Sequence, residues 1–185
     1  MTTARPMRAD ARRNHERIVA VAREAFAEHG VEASLDEIAR RAEVGPGTLY
    51  RHFPQRQALM EAVYRDDVAG LSRRAQELLD EYPPGDALAQ WLREQVDYLV
   101  RRRGLASTLK ATLGPDSETF AACKAMLTGA ASALLTAGQE AGVVRSDLTP
   151  RDVLVLAHGI GTAAEAAPDS FETLLGVAVE GLRAR

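Results

Sequence analysis

The chain is a series of segments with helical periodicity, separated by glycine and proline, and it shows no convincing strand pattern. Apolar residues recur at the spacing of one helix face over residues 14–29, and Gly30 follows as a stop signal. Ser34 then occupies the N-cap position of a second helix, with Glu37 in capping-box register. These features predict an all-α fold.

The segment GPGTLYRHFP, residues 45–54, predicts a short third helix. Pro46 suits the first helical position, which needs no N–H, and Pro54 ends the helix after Phe53. Leu49 and Phe53 stand at i and i+4, so both are expected to anchor the helix to the core. Three helices with a tight turn between the second and the third form a helix-turn-helix unit.

The remaining side chains of the third helix suit contact with a phosphodiester backbone. Gly45 and Gly47 let a backbone approach closely, and the helix N-terminus offers N–H groups to phosphate oxygens. The hydroxyls of Thr48 and Tyr50 suit phosphate. The side chains that can reach either base edges or the backbone are Arg51 and His52. Composition alone leaves open the alternative of a polar surface helix between two loops.

Residues 12–60 resemble the tetracycline-repressor (TetR) family of bacterial transcriptional regulators, most clearly in the stretch SLDEIARRAEVGPGTLYRHFPQRQALMEAVY. The resemblance implies a DNA-binding domain whose contacts come from Ser34, Pro46, Gly47, Thr48, Tyr50, His52 and Arg56. The side chains and backbone of the third helix add Gly45 and Arg51 to these candidates. Arg56 stands where the family usually has lysine, as a phosphate clamp. Glu43 departs from the pattern, because the family usually has glycine at this corner, and Gly45 replaces a small polar residue.

The chain is expected to divide into a helix-turn-helix domain, residues 1–55, and a helical effector-binding and dimerisation domain, residues 56–185. Residues 1–17 form a basic arm with five arginines and two acidic residues. Residues 1–60 hold ten arginines against eight acids, a net charge of +2, whereas the remainder has a net charge of −5. This asymmetry is a modest indication of nucleic-acid binding.

Six further helices are predicted after the third, which gives about nine in total. Pro83 and Pro84 break the chain between the fourth and the fifth of them. The fourth helix is predicted over 56–81, the fifth from a cap at Asp86 to Gly104, and the sixth over 106–113. The seventh runs from the GPDSE segment to Ala141, the eighth from Thr149 through the apolar segment VLVLAHGIGTAAEAA, and the ninth from Ser170 onward.

The last two helices carry more apolar surface than one monomer is expected to cover. The eighth is apolar nearly all round, and the ninth has a complete stripe at helical spacing. The family resemblance implies a homodimer through a four-helix bundle, and an intramolecular core is the alternative. The dimerisation candidates are Val155, Gly159, Phe171, Leu174, Leu175, Ala178, Val179 and Leu182.

The middle helices are expected to hold a small-molecule effector, as the resemblance implies. Trp91, Gln95 and Tyr98 fall on one helix face, with an amide between two aromatic rings. Such a face predicts a largely uncharged ligand, because a charged one would lose hydration without a partner. Each candidate has the alternative of an ordinary core position. The other candidates are Leu109, Thr112, Phe120, Cys123, Met126 and His158.

Composition narrows the remaining classes of function. The chain has one cysteine, no zinc-like spacing of Cys and His, no secretory signal, and no apolar run judged long enough to span a membrane. A cytoplasmic protein without metal or cofactor is therefore expected. The predicted function is a ligand-responsive repressor that a small molecule releases from a pseudo-palindromic double-stranded DNA operator. A ligand-independent architectural DNA-binding protein and, with less support, a helical enzyme using Cys123 and His158 are the alternatives.

Overall fold

A computed structural model of the chain describes residues 4–184, apart from the side chains of 4–8, 103 and 165. This part of the chain forms nine α-helices, one 3-10 turn and an isolated β-bridge between Val144 and Arg183, which confirms the all-α prediction. The helices are α1 (Ala4–His29), α2 (Leu35–Arg41), α3 (Pro46–His52), α4 (Arg56–Glu81), α5 (Pro84–Arg101), α6 (Arg103–Leu113), α7 (Glu118–Glu140), α8 (Pro150–Ala166) and α9 (Phe171–Leu182), with the 3-10 turn at Pro168–Ser170.

Helix α1 begins ten residues before the predicted start at Asn14. The predicted basic arm is therefore the first part of α1 from Ala4 onward, and residues 1–3 lie outside the described part. Pro6 is compatible with this start, because the first turn of a helix needs no N–H donor. An ion pair between Arg12 and Glu16, 3.2 Å apart at i,i+4 spacing, supports the helix. Gly30, with φ of +72°, follows its last residue as predicted.

Two helix starts differ in detail from their predictions. Ser34 caps α2 by accepting a hydrogen bond from the Glu37 N–H at 3.3 Å, but the Glu37 carboxylate binds Arg40 at 2.7 Å. Helix α5 begins at Pro84, and Pro83 is its N-cap, because a proline at the first position needs no partner for its nitrogen. Asp86 lies in the first turn of α5 and is not its cap.

The described chain divides into two compact units, and the division differs from the predicted boundary at 55/56. The N-terminal unit comprises the chain up to Asp66 together with Gly104–Asp116, and the C-terminal unit comprises Asp67–Arg103 and Ser117–Arg185. Helix α4 therefore passes from one unit to the other, whereas α6 from Gly104 onward lies in the N-terminal unit. Sequence periodicity did not indicate this division, because a helix that continues through a boundary shows no break.

Within the N-terminal unit, the buried side chains of the first four helices form the core. They include Ile18 and Phe26 of α1, Ile38 of α2, and Leu59 and Val63 of α4. Leu105 and Leu109 of α6 are also buried and belong to this unit. Arg41 fixes α2 to α1, because its guanidinium binds Glu28 at 2.7 Å and Glu24 at 3.1 Å.

The C-terminal unit is built around α5, which packs against α7 and α8. Trp91 of α5 is fully buried, and its indole N–H donates to the Leu71 carbonyl of α4 at 2.8 Å. Gly161 of α8 lies so close to α5 that an added Cβ would approach the Leu99 Cβ to 3.0 Å. This glycine therefore serves the packing of α8 against α5 within one chain.

Helix α7 is long and apolar enough to cross a membrane by length and composition alone. It has 23 residues and a mean hydropathy of 1.4 over its most apolar window, which differs from the prediction that no apolar run reaches this length. Core helices of soluble proteins meet the same criterion, and α7 packs against α5 and α8 in the C-terminal unit. The composition of α7 is therefore weak evidence for a membrane span.

Candidate nucleic-acid interface and effector region

Helix α3 has one buried side and one polar exposed side. Leu49 and Phe53 are buried, which confirms the predicted anchors. Tyr50 on the other side has 47% of its surface exposed, and Arg51 is exposed beside it. Thr48 and His52 are half-buried at the edges of this surface. The two anchors thus fix which side chains of α3 face outward.

The start of α3 is open to a partner from outside the chain. Gly45 is the N-cap, and no side chain caps the helix. Gly45, Pro46 and Gly47 are all exposed, and a Cβ added at either glycine would meet no atom of the described residues within 4 Å. Neither glycine has a positive φ. The fold itself therefore gives no reason for glycine here, whereas the close approach of another molecule would.

Two candidate residues already make contacts inside the N-terminal unit. The Arg51 Nε donates to the Gly47 carbonyl at 3.0 Å, which folds this side chain back along α3. The Arg56 Nη1 donates to the carbonyls of Val31 at 2.8 Å and Ala33 at 2.5 Å. Arg56 thereby holds the loop that leads into the exposed Ser34 cap of α2. Local sequence patterns do not indicate this positioning role, because the acceptors lie 23 and 25 residues earlier.

His52 lies in a cluster of three rings. Its ring centre is 6.0 Å from that of His15 on α1 and 6.3 Å from that of Phe53, and His15 is 4.9 Å from Phe53. Burial lowers the pKa of His52 below its usual value of 6.5, and the nearby charges of His15 and Arg51 act in the same direction. His52 is therefore mainly neutral at pH 7.

The predicted effector residues fall into different environments. In the C-terminal unit, Trp91, Gln95 and Cys123 are buried, and Tyr98, Phe120 and Met126 are half-buried. A hydrogen bond of 3.4 Å from the Ser72 hydroxyl to the Met126 carbonyl brings α4 to α7. The Gln95 side chain is only 4% exposed, and its Oε1 has no hydrogen-bond partner among the described residues. A buried acceptor without a donor is unusual in a folded protein.

Three further effector candidates lie in the N-terminal unit or are exposed. Leu109 is buried but lies in the N-terminal unit, and Thr112 of the same unit is exposed, with its hydroxyl donating to the Thr108 carbonyl. His158 is exposed on α8, three residues after the exposed Val155. The sequence could not place these side chains, because helix phase shows which residues share a face but not which face is covered.

The dimerisation candidates divide between the core and the surface of the C-terminal unit. Leu175, Ala178 and Leu182 are buried within one chain, so their proposed place in an interface is corrected. Phe171 and Val179 are half-buried, whereas Val155, Gly159 and Leu174 are exposed. Val177, which the sequence analysis did not select, is 67% exposed. We call the exposed surface of α8 and α9 formed by Val155, Gly159, Leu174 and Val177 the outer face.

A cavity of about 470 Å³ lies elsewhere in the C-terminal unit. Its walls come from Pro83 and the first turns of α5, the turn after α7 and the end of α9. The Ala184 N–H donates there to the Val143 carbonyl at 3.0 Å. None of the effector candidates lines it. Two of the dimerisation candidates, Val179 and Leu182, do.

Two family models match the chain, and together they cover most of it. Residues 18–63 match the model described as bacterial regulatory proteins, tetR family. Residues 83–184 match the model of the C-terminal domain of SbtR-like transcriptional regulators, which is more than half of the chain. The first match contains α2 and α3, and the second contains the outer face and Gln95.

Similar proteins of known structure span nearly the whole chain. A TetR transcriptional regulator from Streptomyces coelicolor is 38% identical, with 92% of this chain and 98% of that chain covered and a TM-score of 0.79. A TetR transcription regulatory protein from Mycobacterium vanbaalenii is 37% identical, with 97% and 100% covered and a TM-score of 0.79. Among curated proteins, an HTH-type transcriptional regulator of Staphylococcus aureus is 34% identical over 96 residues, so the chain spans about half the length of this relative.

The family models and the two structural relatives agree with the helix-turn-helix geometry of α2 and α3. The chain belongs to the TetR family of DNA-binding transcriptional regulators.

Proposed function

We propose that this chain is a cytoplasmic homodimeric repressor, which leaves a pseudo-palindromic operator when a small molecule binds. The observation that carries the proposal is the polar side of α3, held outward by the buried Leu49 and Phe53. In the proposed complex, α3 of each subunit lies in a major groove, and the two half-sites are about one helical turn apart. The two compact units correspond to a DNA-binding part and an effector-binding part.

The contacts at the operator follow from the exposure of α3. The hydroxyls of Thr48 and Tyr50 bind phosphate, and the exposed backbone at Gly45, Pro46 and Gly47 allows the strand to approach closely. Arg51 and His52 reach base edges or backbone. Ser34 contacts phosphate at the start of α2, and Arg56 supports it through the loop carbonyls or binds phosphate itself.

Selection of bound duplexes from a random DNA pool tests the proposal, because an inverted repeat would establish both readout and symmetry. Thr48→Ala and Tyr50→Phe should each weaken binding to all selected duplexes by the same amount. The expected loss is about 1 kcal/mol for one hydrogen bond, which is about fivefold in the dissociation constant. Tyr82→Phe is a matched control, because Tyr82 is also 47% exposed but lies in the C-terminal unit. A Thr48→Ala, Tyr50→Phe double variant with unchanged affinity would show that α3 is not the DNA-reading helix.

The proposed partner of the outer face is a second copy of the chain. Exposed apolar surface marks interfaces, and the exposed apolar residues of the outer face lie on two helices that pack against each other. Gly159, Gly176 and Gly181 also lie on exposed surface, where an added Cβ would meet nothing within 4 Å. Backbones of two subunits can therefore approach closely there. A symmetric pair of outer faces would form a four-helix bundle.

The proposed effector site lies around Gln95, whose unpartnered Oε1 is suited to accept a hydrogen bond from a ligand. Trp91 and Cys123 of the same unit are also buried, so a ligand that enters this interior is expected to be largely uncharged with one donor group. Effector binding favours one of two conformations of the dimer through differential affinity. Helix α4 is a candidate for transmitting this change, because it passes from one unit to the other.

A further inference from the structure

The turn between α2 and α3 contains a residue in an uncommon backbone conformation. Glu43 has φ of +52°, and it is the one residue other than glycine with a positive φ in the described part of the chain. Backbone hydrogen bonds fix this conformation, from the Glu43 N–H to the Arg40 carbonyl at 3.1 Å and from the Val44 N–H to the Ala39 carbonyl at 3.0 Å. The Glu43 side chain plays no part in these bonds and is 84% exposed. Its carboxylate therefore has no role in forming the turn.

The Glu43 corner also holds an arginine from another helix. The Arg17 Nη2 of α1 donates to the Glu43 carbonyl at 3.4 Å, and its Nη1 lies 3.9 Å from the Glu43 carboxylate. Asn14 accepts a further hydrogen bond from Arg17 at 3.2 Å. The Arg17 side chain nevertheless remains 45% exposed. Arg17 is thus a surface cation whose guanidinium is directed toward an acid of the same unit.

The corner is close enough to the start of α3 for its charge to act on bound DNA. Glu43 precedes Pro46 by three residues, so their Cα atoms are at most about 11 Å apart. This distance is comparable to the Debye length of about 10 Å at 0.1 M salt, so the charge is only partly screened. That the charge acts on DNA rests on the proposed function, in which the start of α3 lies against phosphate.

We propose that Glu43 limits the affinity of the regulator for DNA in two ways. Its carboxylate repels the phosphates that approach the start of α3, and it keeps Arg17 from serving as an additional phosphate contact. Neither effect depends on base sequence, so Glu43 lowers operator binding and non-specific binding together. A complex kept weaker in this way is easier for an effector to dissociate, because an effector shifts an equilibrium only by its differential affinity.

The test is a salt titration of DNA affinity with the full chain and its Glu43→Gln variant. The duplexes are the operator from random-pool selection and a scrambled duplex of the same length. Glu43→Gln should bind both roughly three- to tenfold more tightly at low salt. The slope of log K against log salt should become steeper by about 0.9, as expected for one more phosphate contact. Glu43→Gly, which suits the positive φ, should give the same slope and so separate charge from backbone effects.

Two further variants make the outcome decisive. Glu140→Gln removes the same charge from an exposed position of the C-terminal unit and should leave affinity and slope unchanged. Adding Arg17→Gln to Glu43→Gln should return the slope to its original value. Wild-type affinity and slope in Glu43→Gln would overturn the inference, and a steeper slope that survives Arg17→Gln would overturn the part that concerns Arg17. Failure of the wild-type chain to bind any duplex would instead contradict the proposed function.

Discussion

Two residues two positions apart on α9 provide the sharpest test of the proposed dimer. Val177 is 67% exposed on the outer face, whereas Leu175 is fully buried in the core of the C-terminal unit. We expect Val177→Arg to yield a folded monomer, because the change leaves the core intact and places a charge in the interface. We expect Leu175→Arg to yield unfolded or insoluble protein, because its charge would be buried without a partner.

The size of the effect follows from the exposed fraction of Val177. Full burial of a valine side chain contributes about 1.5–3 kcal/mol, so burying the exposed two-thirds contributes about 1–2 kcal/mol. A twofold interface contains the residue twice, which gives about 2–4 kcal/mol for each dimer. Loss of this burial alone raises the dissociation constant of the dimer by about 30- to 1,000-fold. The desolvation of two arginines adds to this loss.

Sedimentation equilibrium over a range of protein concentrations measures this constant, and circular dichroism reports whether each variant is folded. Val143→Arg is the matched control, because Val143 is an exposed valine of the same unit that lies outside the outer face. It should leave the dimer unchanged. A Val177→Arg dimer of wild-type affinity, or a monomer produced by Val143→Arg, would show that the subunits associate through another surface.

Two further predictions concern the DNA and effector sites. Operator affinity should rise as the pH falls from about 8 to 6, and His52→Gln should remove this dependence. The reason is that burial lowers the pKa of His52 in the free protein, whereas a bound phosphate raises it. Between these two pKa values, DNA binding is therefore accompanied by proton uptake at His52. Equal binding constants at both pH values in fluorescence anisotropy would argue against a phosphate contact by His52. Gln95→Leu should raise the free energy of unfolding by about 1 kcal/mol, since it removes a buried acceptor without a donor, and should abolish the response of Trp91 fluorescence to uncharged aromatic ligands. Trp91→Ala should instead lower the free energy of unfolding by about 3–5 kcal/mol, so loss of induction in that variant would not identify the pocket. Urea denaturation measures the stability of both variants and so distinguishes a lost ligand contact from a destabilised fold.

The helix-turn-helix could be predicted because local signals determine it. The Ser34 cap, the prolines around α3 and the i, i+4 pair of Leu49 and Phe53 all act within a few residues, and the structure contains each of them. The carbonyl partners of Arg56 could not be predicted, because they belong to a loop more than twenty residues away. Local sequence does not encode such a contact.

The phase of α9 was ambiguous for a different reason. Its sequence, FETLLGVAVEGL, has apolar residues on both sides, so the stripe chosen from periodicity included Leu175 and Leu182 and omitted Val177. The structure shows that the chosen stripe is partly the core of one chain. Periodicity identifies a face, and only the packing of α9 against its neighbours shows which face is already covered.

The discontinuous N-terminal unit has a consequence for engineering and for evolution by recombination. Gly104 lies beside Val31, where an added Cβ would come within 3.8 Å of a Val31 methyl, and Leu105 and Leu109 are buried in the same unit. In a chimeric regulator that receives only the chain up to Asp66 from a donor, the donor segment would therefore have to pack against the α6 of the recipient. Transfer of operator specificity between relatives should succeed when Gly104–Asp116 is exchanged together with the chain up to Asp66. The residues of these two segments are expected to change together over evolutionary time.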